Sequence, residues 1–280
     1  MAIDNPPPAP AQRIYRHRLP VRVMHWINVL SLTLLLMSGL NIFNAHPALY
    51  WGKESIFTSP WLAIRAQQTP AGPVGVTQFA GREWRTTGVL GLSEVDGQTQ
   101  SRAFPSWATV PGPQWLSMAR RWHFFFAWVF VINGVAYLLY TLLSRHLTRD
   151  LLPTRAELRG IGGTIKNHLL LRHPTGEAAK RYNVLQSLAY LVVIFGLLPL
   201  LVVAGLAMSP RLDAVYSGWV DLLGGRQSAR SLHFIAAAGL LLFTLIHLFE
   251  VIVAGVWNEI RSMVTGWYTV PADKHTQGQP

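Results

Sequence analysis

Residues 230–257 read RSLHFIAAAGLLLFTLIHLFEVIVAGVW. As a helix this run can cross a bilayer, which takes about 20 apolar residues. It carries two histidines, His233 and His247, 14 residues apart. That spacing is within about 40° of whole helical turns, so both imidazoles fall on one face, about 21 Å apart along the axis. Imidazoles are costly in hydrocarbon and usually face a protein interior with a partner. On this helix alone they are either hydrogen-bonded core histidines or ligands to something held between helices.

Composition sets the class. Half of the 280 residues are hydrophobic and only 13% are charged, with a mean hydropathy of +0.26. This fits an integral membrane protein rather than a soluble domain. The formal net charge of +11 then reflects lysine and arginine in cytoplasmic loops and not nucleic-acid binding. There is no cysteine, which excludes disulfides, covalently attached c-type haem and cysteine-ligated clusters.

The remaining spans follow from the same pattern. Residues 1–20 predict a cytoplasmic N-terminus, disordered over the proline-rich 1–12 and basic after it (Arg13, Arg16, Arg18), with a solvated His17. The first span covers about 21–44 and is too long for a signal segment, so it reads as an uncleaved anchor. It carries His25 near its start, and Gly39 lies 14 residues further on the same face, where a glycine lets a flat group approach the backbone. Residues 45–115, rich in Gly, Pro, Trp and Thr, predict a long outer loop with short strand-like or helical pieces, a cap and docking surface. The second span, about 116–143, carries His123 directly after Arg120 and Arg121. Residues 144–182 hold eight Lys/Arg against three Asp/Glu and read as a cytoplasmic loop, with His146, His168 and His173 at the surface. The third span, about 183–208, has no histidine. Pro199 predicts a kink, and Gly196 and Gly205 permit close packing. Asn183 and Gln186 at its entrance can hydrogen-bond a quinone carbonyl or cap the helix. The fourth span is 230–257, followed by a polar cytoplasmic tail, 259–280.

With both termini inside, four spans put His123 and His233 at the outer level and His25 and His247 at the inner level. These are the only histidines inside the spans; His46, at the start of the loop, is not among them. The arrangement predicts an all-α, integral-membrane four-helix bundle over 21–258 with a long periplasmic loop between helices 1 and 2. It also predicts two haem groups with axial pairs His123–His233 and His25–His247. Arg120 and Arg121 can pair with propionates or simply snorkel. Glu250, one turn beyond His247, can carry protons for quinone chemistry or sit solvated.

The residues His25 in VMHW, His123 in RRWHFFFAW, the pair in SLHFIAAAGLLLFTLIH, and KRYNVLQSLAY and GLAMSP in the third span give the chain a resemblance. It resembles the bacterial di-haem cytochrome b561 and hydrogenase-type cytochrome b family. That resemblance implies two haem b, electron exchange between a periplasmic redox subunit and the quinone pool, and a quinone near the inner haem, at Asn183, Gln186 and His247. It also implies the bacterial inner membrane. The long loop resembles versions found beside a periplasmic molybdopterin oxidoreductase. Two rival readings are a self-sufficient cytochrome b561 quinone oxidoreductase acting on a small molecule such as superoxide, and a non-redox transporter or assembly factor. Transport usually needs intramembrane charges or broken helices in related halves, and these spans offer little of either beyond Glu250 and Pro199.

Overall fold

The computed structural model describes residues 12–145, 147–170 and 183–270. The proline-rich start of the chain, His146 and His173 lie outside them. Four apolar stretches are long enough to span a membrane: α1 (Leu19–Asn44), α2 (Leu116–Leu143), the segment Val184–Ala207, and α9 (Arg226–Thr265). Only 11–22% of each apolar window is buried inside the protein. So much outward-facing hydrocarbon is stable against lipid and not against water.

The third of these stretches is not one regular helix. It comprises α5 (Val184–Val192), a π-helical turn (Val193–Leu197) and α6 (Leu198–Ala207). Pro199 has no N–H for the carbonyl of Phe195, and its ring crowds that carbonyl. A widened turn just before the proline relieves both problems.

The all-α four-helix bundle is corrected by the structure. Among the described residues, eight strands in three sheets accompany the helices. Most of them lie between α1 and α2: β2 (Ala48–Leu49), β3 (Leu62–Thr69), β4 (Gly72–Phe79), β5 (Arg82–Arg85), β6 (Gly91–Val95) and β7 (Gln98–Arg102). The first four form an antiparallel sheet in chain order, and β6–β7 is a separate hairpin. The turn chemistry explains them. Asp96 and Gly97 link β6 to β7 with φ of 53° and 72°, the paired positive values of the tight turn that matches strand twist.

The chain divides into two compact units. One comprises 26–134 and 197–240. In it the sheet is seated on helix ends through a core of Phe43, Leu49, Leu62, Ile64 and Ala103, joined by Trp61, Phe104 and Phe234. Polar ties fix the same contact. The Trp61 indole N–H donates to Ser231 Oγ at 2.9 Å, and the Ser231 hydroxyl donates to the Tyr50 carbonyl at 2.6 Å. Asn41 Nδ2 donates to the carbonyls of Pro111 and Pro113. Two short helices, α7 (Pro210–Val215) and α8 (Ser217–Leu222), lead into α9.

The other unit comprises 1–25, 135–196 and 241–280. Here β1 (Arg13–Tyr15) pairs antiparallel with β8 (Trp267–Thr269), so the basic segment before the first span carries a strand. His17, expected to be solvated, is buried; the backbone N–H groups of Arg16 and His17 both donate to the Gly266 carbonyl, which draws the chain in. Helices α3 (Arg155–Arg159) and α4 (Ile161–Leu169) occupy the connection before α5.

Candidate cofactor sites

His123 sits in the second turn of α2 and His233 in the second turn of α9. Their ring centroids are 6.2 Å apart, with planes at 63°. The two rings are held in the same way. His123 Nδ1 is 3.1 Å from the Leu35 carbonyl, and His233 Nδ1 is 2.8 Å from the Leu201 carbonyl. A carbonyl only accepts, so Nδ1 carries the proton in both, and Nε2 is the lone-pair nitrogen. Four residues beyond each carbonyl stands a glycine. A Cβ on Gly39 would lie 3.4 Å from His123 Cε1, and one on Gly205 would lie 3.3 Å from His233 Cε1 and Nδ1. Each imidazole edge therefore rests on helix backbone at the one place in that turn without a side chain. Gly205 is close-packed as expected, whereas Gly196 meets nothing within 4 Å.

His25 on α1 and His247 on α9 form the second pair. Their centroids are 6.5 Å apart, with planes at 71°. Phe243, one turn before His247, stacks on it at 6.0 Å with a 9° interplanar angle. Tyr190 meets the other edge of Phe243 at 6.2 Å. A stacked aromatic fixes the ring plane of His247 as the carbonyls fix those of the first pair.

Metal–nitrogen bonds of about 2 Å place two imidazoles on opposite sides of one metal with centroids about 6 Å apart. Both pairs have that spacing. Among the described residues no cluster of three or more His, Asp or Glu side chains could hold a bare ion. Two imidazoles alone fill two coordination positions, so a metal held here must bring its other donors with it, as a porphyrin does.

The other expected positions fall as follows. Arg120 and Arg121 are exposed, and the Arg120 guanidinium lies 5.6 Å over the Phe124 ring. Asn183 and Gln186 form a capping box at the start of α5. Asn183 Oδ1 accepts from the Gln186 backbone N–H at 2.9 Å, and Gln186 Oε1 accepts from the Asn183 N–H at 3.2 Å. Glu250 faces His168 of α4, with Oε1 3.2 Å from Nε2. His168, expected at the surface alone, thus has an acidic partner that α4 brings to it. His46 packs against Tyr50 and Phe57, and partial burial beside Arg230 holds its pKa below the ordinary histidine value. Sequence reasoning missed the Leu35 and Leu201 carbonyls and Phe243. Backbone acceptors carry no residue signature, but Phe243 at i−4 from His247 was visible.

Four spans long and apolar enough to cross a bilayer make this a multi-pass membrane protein, with two pairs of facing histidines carried on them. The chain belongs to the prokaryotic cytochrome b561 family, whose model matches residues 16–266, and haem b is the cofactor of that family. A relative from Azospira oryzae, "Putative protein-methionine-sulfoxide reductase subunit YedZ1", is 25% identical over 257 residues, covering 91% of this chain and 99% of its own. No solved structure matches the chain.

Proposed function

We propose that this chain relays electrons between a redox partner on the periplasmic side and the membrane quinone pool. It does so with two haem b, one on His123 and His233 and one on His25 and His247. The observation that carries the reading is the pair of ring separations, 6.2 and 6.5 Å, in a member of a haem-b family. When bound, haem b would supply reversible one-electron exchange, held by these histidines.

The chain's own residues do the rest. The Leu35 and Leu201 carbonyls hold the protons on Nδ1 and raise the basicity of Nε2. Gly39 and Gly205 leave room for the rings that those carbonyls orient. Arg120 and Arg121 flank His123 and offer positive charge to propionates. Asn183 and Gln186 use their side-chain oxygens as caps, so toward a quinone carbonyl they offer amide N–H groups. Glu250, with His168 beside it, handles the protons that quinone chemistry takes up or releases.

The domain reading that accompanies this is a cytochrome domain over 21–258 in the bacterial inner membrane, with 1–20 and 259–280 on its cytoplasmic side. The sheet of β2–β5 then faces the periplasm as the docking surface. The name of the Azospira relative supports a partner that reduces oxidised protein methionine, and a molybdopterin-dependent subunit is the partner class we assign. The test is stopped-flow mixing of a short-chain quinol with the oxidised protein in vesicles. Reduction of the b-type absorbance within seconds is expected. Absorbance that no quinol changes would contradict the quinone link.

A further inference from the structure

Helix α9 has 40 residues and would extend about 60 Å if straight, twice the roughly 30 Å hydrocarbon thickness. It is not straight. Gly255 breaks it with φ 110° and ψ 83°, values that side-chain-bearing residues rarely adopt. Where the remainder goes can be worked out inside its own unit. His25 and His247 face each other, so they mark one level. Arg22 precedes His25 by one turn, about 4.5 Å along the axis, and its Nη1 donates to the Val264 carbonyl. Were α9 continuous, Val264 would lie about 25 Å beyond His247, out of an arginine's reach from that level. Glu259 is likewise held, 3.7 Å from Arg16. The segment after Gly255 therefore does not continue straight along the axis of the span.

Its two faces differ. Ser262 is fully buried, and Asn258 and Arg261 reach the β8 strand, where Asn258 Nδ2 donates to the Thr269 carbonyl at 2.8 Å. On the other face Trp257, Ile260 and Val264 are 82%, 40% and 60% exposed, at i, i+3 and i+7. The stripe is extended by Trp267, which meets Tyr15 edge-on at 5.4 Å, both half exposed. Arg13 and Arg18 beside them are exposed as well. Tryptophan, tyrosine and arginine around an aliphatic stripe suit the boundary between headgroups and acyl chains.

We propose that residues 256–267 form an interfacial helix and turn that lie in the plane of the membrane, with Trp257, Ile260, Val264 and Trp267 sunk into the headgroup–acyl boundary at the His25/His247 end. The occupant of this face is lipid, because the stripe continues the lipid-facing surface of the span that ends at Gly255. Held by Arg22, Arg16 and the β1–β8 pair, it closes that end of the protein.

The absence of cysteine makes site-directed spin labelling direct. Trp257→Cys, Ile260→Cys and Val264→Cys are labelled one at a time in the full haem-loaded chain, in phosphatidylethanolamine–phosphatidylglycerol vesicles. Leu245→Cys serves as the hydrocarbon reference and Lys166→Cys as the aqueous one. Oxygen and nickel-chelate collision rates give depth, and an unchanged visible spectrum certifies each variant; three separate labels keep the test alive if one fails to fold. All three labels should report one shallow depth, within about a helical radius of each other, with more oxygen contact than Lys166→Cys. Depths stepping into water by about 1.5 Å per residue would overturn the proposal. So would labels shielded from both reagents or broadened by a second copy, which would show protein on this face.

Discussion

The Nδ1 atom of His233 lies 2.8 Å from the carbonyl oxygen of Leu201, and Gly205, one turn further along the same helix, leaves the space the ring occupies. Adding bulk at Gly205 must push the imidazole off its acceptor, since even a Cβ would sit 3.3 Å from the ring. Gly205→Val should therefore weaken haem retention at this pair by about 10- to 100-fold, the usual scale for disturbing an outer-shell partner, and shift the low-spin electron paramagnetic resonance signal of that haem alone. Gly196→Ala, which meets open space, should leave both signals unchanged. Pigment content and low-temperature spectra of the two variants check this.

One buried hydroxyl ties the β layer to α9 beside the apolar core. Ser231, fully buried, accepts from the Trp61 indole and donates to the Tyr50 carbonyl. Ser231→Ala strips a partner from both, at a cost of about 1–3 kcal/mol. The expected result is faster hydrogen exchange across residues 48–64 with both haems retained. Unchanged exchange there would show that the apolar cluster and the remaining ties, among them Gly52 N–H to Ser228 Oγ, hold the sheet without Ser231.

Asn183 is a cap first. Asn183→Ala should destabilise the chain by about 1 kcal/mol, and Asn183→Ser should recover most of it, because serine caps equally well. Neither change supplies an amide N–H. If Asn183 also binds quinone, the KM for quinol rises in both variants, while stability falls in one. Thermal unfolding and quinol titrations separate the two roles.

The Glu250–His168 contact predicts a different split. Its side chains are 20% and 34% exposed, so solvent screening keeps its stability value within about 1 kcal/mol. Glu250→Gln should leave haem content and thermal stability close to wild type while slowing quinol-linked reduction tenfold or more, the range a lost proton carrier gives. Equal rates in the two proteins would remove Glu250 from the proton route.

The spans were legible because hydrocarbon imposes one requirement on them, about 20 apolar residues each, and the second expected range, 116–143, is also the helix found. The histidines were legible because a polar ring in such a run stands out. The β layer was harder. The tight-turn signal at Asp96–Gly97 was present, but strands of two to eight residues among many glycines and prolines carry little periodic pattern beside a 24-residue apolar run. The course of the chain after Gly255 was not legible. A single glycine at the end of a span does not say whether the helix stops, and the contact that decides it, Arg22 with Val264, joins positions 242 residues apart. The pairing of Glu250 with His168 was hidden for the same reason.

The proposed electron path needs two imidazole pairs, each gripping one iron porphyrin. Haem b per chain, measured by the pyridine haemochrome method on the wild type and on His247→Ala, tests it most directly. Two haems falling to one, with the low-spin signal of the His123–His233 site intact, is the predicted result. One haem in the wild type, or two remaining after His247→Ala, would contradict it.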